Sequence, residues 1–468
     1  MRFNFPVAIA VSLYCAWACA QQAIHLEAED GQLVGVMRAA TRPSFSGTGY
    51  VTGFDQDSDK IVFKVPLHAA GIYDVRIRYF SPNIKGFYLN VNGVKLAGYF
   101  PKTADGFSEF HAGKIELNAG DNSLAIEKGW GFFEIDRVDL SLSPPIRPVE
   151  KLTSKLCDPA ANPKTQALMA MLREHYGKGA YSGVYSNEDA DFVRETTGKV
   201  PAIMGGDLIE YSPTRIAHGS DPKNEVERLI AAHHDGAIIT LSWHWNAPSG
   251  LIDKMISGEG GQQVDARWYK GFNTNATTFD LQKAMADPKS ADYQLLLHDI
   301  DAIAVQLKKL SDADVPILWR PLHEAEGGWF WWGAKGPGPF VQLWRLLHDR
   351  LTRDHKLHNL IWVFTSAGNK EWYPGDEYVD VVGIDNYPAD LRDTCSVDWE
   401  TLQSQFAGRK LLAISEFGGV PDVQRMHQFG ECWSYFVSWT GPVGPHKMTA
   451  DDLRRIYTNP WVINRSGK

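Results

Sequence analysis

Short apolar runs and longer amphipathic segments alternate along residues 153–468 of the chain. Eight of the runs have the length and the β-branched or aromatic content of buried strands, and each ends in polar or aromatic residues. They cover residues 179–185, 200–208, 237–245, 315–323, 359–365, 380–386, 410–416 and 435–439, with helix-like segments between most of them. Eight β/α repeats in about 300 residues predict a (β/α)8 TIM barrel, a fold of the α/β class. A doubly wound sheet is the alternative, but no glycine-rich phosphate loop follows any of the strands.

Residues 22–140 show a different pattern, with period-two alternation and no helical periodicity. Turn-rich segments separate six strand-like runs, which cover 59–66, 71–79, 86–91, 113–117, 122–128 and 132–140. Asn92-Gly93, directly after the third run, is typical of a tight hairpin turn. The pattern predicts an all-β domain, a β-sandwich of the jelly-roll kind. A proline-rich linker at 141–152, predicted to be extended and stiff, separates this domain from the barrel domain at 153–468.

The first 20 residues have the organisation of a secretory signal peptide. Arg2 is the one charged residue in this segment, residues 7–20 are largely apolar, and an Ala-Cys-Ala sequence at 18–20 fits a cleavage site. No other apolar run reaches the roughly 20 residues that a membrane span needs. We therefore expect a secreted, extracellular protein that does not span a membrane.

Composition narrows the class of partner. The formal net charge is −9 at pH 7 and no long basic run occurs, which argues against nucleic acid or an anionic membrane as a partner.

After removal of the signal peptide, Cys157, Cys395 and Cys432 remain, enough for one disulfide and one odd thiol. Cys395 with Cys432 is the favoured pair, because both lie in late loops of the second domain. Asn275 and Asn464 begin N-glycosylation sequons. We expect the protein to be a monomer.

Two glutamates follow buried runs at the ends of predicted barrel strands. Glu324 comes after the fourth strand together with Arg320, and Glu416 comes at the end of the seventh. The C-terminal ends of barrel strands carry the active site, and a charge after a buried run is costly unless it has a use. Retaining glycosidases need such a pair about 5–5.5 Å apart, one carboxyl to protonate the leaving oxygen and one to attack the anomeric carbon. Arg320 and Tyr387 are available to hold the attacking carboxylate ionised, and its charge raises the pKa of the acid.

Aromatic side chains accompany these acids. A Trp-Phe-Trp-Trp sequence at 329–332 follows Glu324 closely, and aromatic faces stack on the C–H surface of sugars. The other predicted strand ends add further polar and aromatic side chains to the same mouth. The candidate substrate-contacting residues are His244, Trp245, Arg320, His323, Trp329, Asp385, Tyr387 and Trp439. A core tryptophan cluster beside a surface acid is the structural alternative.

The sequence Trp-Arg-Pro-Leu-His-Glu at 319–324 and the sequence Ile-Ser-Glu-Phe-Gly-Gly at 414–419 resemble the two catalytic motifs of glycoside hydrolase family 26. The resemblance implies that Glu324 is the acid/base and Glu416 the nucleophile, and that Glu326 is not catalytic. It implies an endo-β-1,4-mannanase acting on mannan, glucomannan or galactomannan, with no cofactor for catalysis. Trp268, in the loop after the third strand, is expected to extend the cleft.

The N-terminal domain resembles carbohydrate-binding module family 35 in three segments, 24–29, 46–50 and 130–136. That resemblance implies a structural calcium ion held by carboxylate oxygens. The expected calcium ligands are Glu27, Glu29 and Asp136. The expected sugar contacts are Trp130, Tyr50 and Lys85.

Two other functions fit parts of this pattern. The same frame could carry an endo-glucanase or xylanase, and a degenerate barrel could serve as a non-catalytic polysaccharide-binding protein. The presence of both glutamates with their supporting Arg320 and Tyr387 favours an enzyme. β-Mannan polysaccharides are the expected partners.

Overall fold

The computed structural model describes residues 23–146, 149–152, 155–258 and 260–466. The predicted signal peptide at 1–20 lies outside the described residues, as do two positions, 147 and 148, of the predicted linker. None of the helices in the described part of the chain has a stretch long and apolar enough to cross a membrane.

The N-terminal domain, called the module below, consists of two antiparallel sheets. Its strands are β1 (Ile24–Glu27), β2 (Gln32–Val34), β3 (Met37–Ala39), β4 (Tyr50–Thr52), β5 (Lys60–Leu67), β6 (Gly71–Phe80), β7 (Lys85–Val91), β8 (Val94–Phe100), β9 (Ser108–Leu117), β10 (Gly120–Trp130) and β11 (Glu134–Leu142). One sheet has the order β3-β4-β11-β6-β9 with β1 on β11, and the other has the order β2-β5-β10-β7-β8. In β5, for example, Ile61, Phe63 and Val65 are buried while Lys64 is exposed. This alternation fills one core between the sheets and confirms the predicted β-sandwich.

The C-terminal domain is a closed parallel barrel. Its strands are β12 (Ala180–Val184), β13 (Ile203–Asp207), β14 (Ile238–Trp243), β17 (Ile317–Pro321), β18 (Leu360–Thr365), β19 (Val381–Asn386), β20 (Leu411–Phe417) and β21 (Tyr435–Ser438). They pair in that order, and β12 pairs with both β21 and β13, which closes the barrel. Outside it, β15 (Met255–Ser257) and β16 (Gln263–Asp265) form a hairpin, and β22 (Val462–Ile463) pairs with β12. The TIM barrel prediction is confirmed.

Helices connect the barrel strands and cover the outside of the barrel. They are α1 (Pro163–His175), α2 (Asn187–Thr197), α3 (Pro213–Ala217), α4 (Glu225–His234), α5 (Leu281–Ala286), α6 (Ala291–Asp312), α7 (Pro337–Asp349), α8 (Ser396–Phe406), α9 (Val423–Phe429) and α10 (Ala450–Tyr457). The helix starts are encoded locally: Asn162, Ser186 and Ser290 each accept a hydrogen bond from the first turn of the helix that follows. Gly198 ends α2 in a left-handed conformation.

The module packs against the start of α8. Val397 of α8 is buried within the hydrophobic core of the module. Gly113 permits this approach, because a β-carbon there would lie 2.8 Å from the Val397 nitrogen. The Lys114 backbone N–H donates to Ser396 Oγ at 2.7 Å, and its ammonium group pairs with Glu400. Since α8 follows β19, the module sits beside the end of the barrel at which the parallel strands finish.

The three cysteines of the described chain are free thiols, so the predicted Cys395–Cys432 disulfide is wrong. Cys395 Sγ accepts a hydrogen bond from Asn386, whereas the Cys432 thiol contacts the Gly430 carbonyl oxygen at 3.6 Å. Cys157 donates instead to Asp380. Burial raises the pKa of all three thiols, which makes them poor nucleophiles for disulfide exchange.

The two sequons differ in accessibility. Asn275 is exposed on a short turn of 3₁₀ helix, where a glycan would project into solvent. Asn464 is half-buried: its amide donates to the Tyr457 carbonyl oxygen at 2.8 Å and accepts from Ser182 at 2.9 Å. A glycan on Asn464 would have to be accommodated beside these two hydrogen bonds, and glycosylation at this position stays a prediction.

Candidate active site

The loop after β17 presents Glu324 at the mouth of the barrel. All five residues of β17 are buried, and the chain then turns sharply, with Leu322 and Glu324 at φ of 51° and 54°. Such left-handed backbone is unfavourable for these residues and is held here by a hydrogen bond from the Glu324 N–H to Thr365 Oγ1 at 2.9 Å. The carboxyl group accepts from the Trp329 indole N–H at 2.8 Å. The general acid expected from the sequence is therefore fixed in position by both its backbone and its side chain.

Glu416, on β20, is almost completely buried and lies across the mouth from β17. Its Oε2 accepts from Arg320 Nη2 at 2.5 Å, and its Oε1 accepts from the Tyr387 hydroxyl group. Arg320 also donates to Asp385 at 2.5 Å and to the Tyr185 hydroxyl oxygen at 2.8 Å. This network fixes the carboxylate and supplies a positive charge beside it, as a nucleophile requires.

The two glutamates have different electrostatic surroundings. Burial raises the pKa of Glu324, and the negative charge of Glu416 raises it further. Glu416 instead has a guanidinium partner within hydrogen-bonding distance. One carboxyl is thus favoured as the protonated acid and the other as the carboxylate, which is the division of roles that glycoside hydrolysis needs.

Two histidines lie side by side next to the glutamates. His244 Nε2 is 3.1 Å from His323 Nε2, and His244 Nδ1 donates to Asp207. Burial lowers the pKa of His244, but Asp207 more than offsets this and the pKa lies above its ordinary value. Burial and the charge of Arg320 hold the pKa of His323 well below its ordinary value. These opposite shifts favour His244 over His323 as the histidine that carries the extra proton, and therefore as the donor in this contact.

Glu326 lies two residues beyond Glu324, but its carboxyl group connects two loops instead of facing the mouth. Its Oε1 accepts from Ser366 Oγ at 3.0 Å and from the Ala367 N–H at 2.8 Å, and its Oε2 accepts from the Asn369 N–H at 3.3 Å. It therefore ties the loop after β18 to the loop after β17. Burial raises the pKa of Glu326 to about 7.

The raised pKa of Glu326 predicts how the free energy of unfolding depends on pH. A carboxyl with a raised pKa holds its proton more tightly in the folded chain, so the associated stability is present at low pH and is lost as the pH rises through about 7. Between about pH 5 and pH 8, the wild-type melting temperature should fall by a few degrees relative to that of Glu326→Gln. Thermal unfolding of both proteins across that range measures the difference. Parallel curves would show that Glu326 is ionised throughout.

Exposed and half-buried aromatic rings line the mouth. Trp329 is 49% exposed and Tyr387 is 46% exposed, although they are hydrogen-bonded to the carboxyl groups of Glu324 and Glu416. Trp439 is half-buried, with ring centroids 4.5 Å from Tyr185 and 6.0 Å from His244. These rings form the walls expected of a cleft that binds sugars.

Trp245 is not part of this surface, and its prediction as a substrate contact is wrong. It is 0% exposed, stacks on Trp243 with 4.2 Å between ring centroids, and donates to Asp299 Oδ2 at 2.8 Å. Side chains alternate along an extended segment, so His244 points to the mouth while Trp243 and Trp245 point to the surrounding helices.

Trp268, predicted to extend the cleft, lies in the loop after β14 and is half-buried. It stacks on His218 with 5.6 Å between ring centroids, and the Arg215 guanidinium lies 5.3 Å from its ring. The Asn246 side chain donates to the Trp268 carbonyl oxygen at 2.8 Å. The loop is therefore ordered around this indole, and a contact with substrate stays a prediction.

In the module, the predicted sugar contacts separate into two groups. Trp130 is 50% exposed, and the Lys85 ammonium group lies 5.9 Å from its ring. Tyr50 is only 2% exposed, and its hydroxyl group bonds to Thr41 Oγ1 at 3.0 Å. Val51, the next residue of β4, is the one in the module core, whereas Tyr50 is covered by the rings of Phe45 and Phe107, so its prediction as a sugar contact is wrong.

Glu27, Glu29 and Asp136 converge on the loop at 44–49. The Ser46 hydroxyl group lies 2.7 Å from Glu27 Oε2 and 2.9 Å from Asp136 Oδ2. Glu29 Oε2 is buried without a hydrogen-bond partner in the described chain, so this oxygen is available to a cation such as calcium. Asp136 fits less well, because the Arg78 guanidinium already pairs with it.

A second carboxylate cluster lies where the module meets α8. Among the described residues, Asp74, His111 and Glu400 bring potential metal-binding atoms within 4.8 Å of one another. The Lys114 ammonium group already pairs with Glu400 and lies 3.9 Å from Asp74 Oδ1. A protein cation thus neutralises the cluster.

Three functional positions escaped the sequence analysis. Asp207, at the end of β13, fixes His244; Tyr185, just after β12, contacts Arg320; and Thr365, at the end of β18, holds the Glu324 backbone. All three occupy the C-terminal ends of barrel strands. A systematic reading of every strand end, rather than of those carrying several polar residues, would have found them.

Comparison with known proteins agrees with this geometry. Residues 157–467 match glycosyl hydrolase family 26, and residues 24–143 match carbohydrate binding module family 35. The chain is 39% identical over 440 residues to a mannan endo-1,4-beta-mannosidase of Thermothelomyces thermophilus, covering 93% of this chain and 89% of the relative. It resembles the crystal structure of a Podospora anserina GH26-CBM35 beta-(1,4)-mannanase with 40% identity and a TM-score of 0.66, covering 94% and 97% of the two chains. A ruminal GH26 endo-beta-1,4-mannanase has 27% identity and a TM-score of 0.64, with the same coverage.

Proposed function

Because the chain belongs to glycosyl hydrolase family 26, we propose that it is a retaining endo-β-1,4-mannanase that cleaves internal bonds of mannan, glucomannan and galactomannan. One observation supports the retaining mechanism most directly. Glu416 accepts hydrogen bonds from Arg320 and Tyr387. The pKa of Glu324 is raised by burial and by the negative charge of Glu416. The names of the similar proteins support mannan as the substrate.

The reaction follows from the two carboxyl groups. Glu324 gives its proton to the glycosidic oxygen while a Glu416 oxygen bonds to the anomeric carbon, and the bond to the leaving sugar breaks. Glu324, now ionised, then takes a proton from water. The resulting hydroxide bonds to the anomeric carbon, the Glu416 ester breaks, and the original anomeric configuration is restored.

The side chains around the two glutamates stabilise the charge of these carboxyl groups and hold them in position. Arg320, held between Asp385 and Glu416, balances the charge of the leaving carboxylate in the second step. Trp329 donates to Glu324, and this hydrogen bond directs the carboxyl group at the exposed cleft. The adjacent rings of His323 and His244 place a polar wall next to the bound sugar.

Parallel assays on soluble β-1,4-mannan, β-1,4-glucan and β-1,4-xylan test the proposal. We expect release of reducing ends from mannan, with early products of mixed length because internal bonds are cut. Fresh products should show the β-anomer by NMR before mutarotation. Activity on glucan or xylan alone would replace the substrate assignment, an α-anomer would exclude the retaining mechanism, and no turnover would indicate a binding protein.

We also propose that the protein is secreted as a monomer, since its substrate is an extracellular polymer and residues 1–20 resemble a signal peptide. In a eukaryotic host, Asn275 is the expected glycosylation site because it is exposed. N-terminal sequencing of the secreted protein should begin at Gln21. A product that retains residues 1–20 would contradict this proposal.

A further inference from the structure

Exposed aromatic side chains are concentrated at two places in the described part of the chain. The exposed large hydrophobic residues there include four aromatics: Trp329, Tyr387, Tyr99 and Trp130. Trp329 and Tyr387 contact the two catalytic glutamates. Tyr99 and Trp130 belong to the module and are 46% and 50% exposed. Aromatic rings left in water at such fractions commonly mark a binding surface.

Tyr99 and Trp130 form one platform on the outer face of the module. Tyr99 of β8 pairs with Gly86 of β7, and Gly86 pairs with Trp130 of β10. Gly86 has no side chain, and the indole lies over it: a β-carbon there would be 2.3 Å from Trp130 Nε1. The Tyr99 and Trp130 ring centroids are consequently 6.0 Å apart, and Lys85 adds a polar edge. We call Tyr99 and Trp130 the aromatic platform.

The platform faces the catalytic domain. Along β8, Leu96, Gly98 and Phe100 point into the module, so Ala97 and Tyr99 share the outer face. Ala97 lines a small cavity together with Asn386 and Asp398 of the barrel domain. Tyr99 is the next residue on that face.

Asn386 connects this contact to the chemistry. It ends β19 and directly precedes Tyr387, which donates to the nucleophile Glu416. Its side chain donates to Asp398 at 3.3 Å, at the start of α8. The outer face of β8 therefore abuts the loop that forms one side of the active-site mouth.

We propose that the aromatic platform continues the catalytic cleft, so that a single β-1,4-linked mannan chain is bound by the barrel and by Tyr99 and Trp130 at once. This inference rests on the proposed function and assigns the platform as distal subsites of the same site. The alternating C–H faces of the polymer stack on the two rings, and Lys85 is available to the hydroxyl groups.

The electrostatic environment of Tyr99 agrees with this placement. Burial raises the pKa of Tyr99, with further contributions from Asp398, Tyr88 and Glu324.

A separate binding site on the module would behave differently. Such a site raises the local concentration of enzyme on a polymer but leaves the hydrolysis of a short soluble oligosaccharide unchanged. A continuous cleft affects the oligosaccharide itself, because the lost contacts belong to the same bound molecule. The two arrangements can be distinguished with substrates of defined length.

The experiment compares Tyr99→Ala, Trp130→Ala and the double variant in the full-length protein, with mannotetraose and mannohexaose as substrates. For the double variant we expect the KM for mannohexaose to rise about tenfold at unchanged kcat, with little change for mannotetraose. The preferred bond of mannohexaose, located by ¹⁸O labelling of the reducing end, should also shift. Val94→Ala, at an exposed position on the same strand but outside the aromatic platform, should behave as wild type.

The outcomes separate this inference from the proposed function. If wild-type protein does not hydrolyse either oligosaccharide, the proposed function fails. The inference is wrong if wild-type protein is active and the double variant hydrolyses mannohexaose with wild-type kinetics and the wild-type cleavage pattern. This holds even if the double variant no longer binds insoluble mannan. Melting temperatures within a few degrees of wild type show that the variants remain folded.

Discussion

Replacement of Glu416 by alanine should abolish mannan hydrolysis, lowering kcat by about 10⁴-fold or more. The variant lacks the oxygen that bonds to the anomeric carbon. The fold should survive, because Arg320 remains paired with Asp385 and the buried guanidinium keeps a counter-charge. Reducing-end assays on galactomannan measure the loss, and circular dichroism confirms folding.

A small anionic nucleophile provides the decisive control. Azide fits the space that the Glu416→Ala substitution opens, so it should restore turnover of an activated aryl β-mannoside. The product should be an α-mannosyl azide, since azide attacks the face that Glu416 normally occupies. A β-configured product, or wild-type turnover without azide, would refute the role of Glu416 as nucleophile.

Replacement of Glu324 by glutamine should lower kcat on mannan by about 10³-fold, which is the usual contribution of a general acid. An aryl mannoside with a good leaving group does not need that acid, so its first step should remain fast. The intermediate then accumulates, because no base activates water for the second step, and stopped-flow traces should show a burst. With mannan, kcat/KM of the wild-type protein should fall at high pH, because Glu324 loses its proton as the pH rises through its raised pKa. With the aryl mannoside, which does not need that proton, this fall should be absent.

Glu326→Gln is the matched control for this experiment. It makes the same change of charge two residues away, and the amide oxygen can still accept from Ser366 and Ala367. Activity within a few-fold of wild type is expected. A large loss in Glu326→Gln together with normal activity in Glu324→Gln would exchange the roles of the two acids.

Hydrophobic patterning predicted both domains and the placement of Glu324 and Glu416 at the barrel mouth for the same physical reason. In the barrel, a run of buried residues ends where the strand leaves the core, so a charged residue at that point lies at the mouth. Glu416 follows such a run on β20, and Arg320 lies within the buried β17. These positions depend on local sequence alone, and the structure places them together.

The errors concern the direction in which a side chain points and the partner that it finds. Trp245 was taken as a cleft residue from its position after a strand, although alternation with His244 already directs it away. Tyr50 lies in a strand of three residues, too short for its pattern to distinguish the inner from the outer face. Pairing of Cys395 with Cys432 was inferred from loop positions, whereas their partners are fixed by the packing around Asn386 and Gly430.

The insertion of Val397 into the core of the module links the folding of the two domains. A barrel expressed without the module would leave Val397 in water, and Glu400 would lose its partner Lys114. The module alone would likewise have a gap where Val397 packs. We expect intact protein to melt in one transition, and each domain on its own to melt at a lower temperature than in the whole. Grafting this module onto another hydrolase should therefore require the first turn of α8 to be transferred with it.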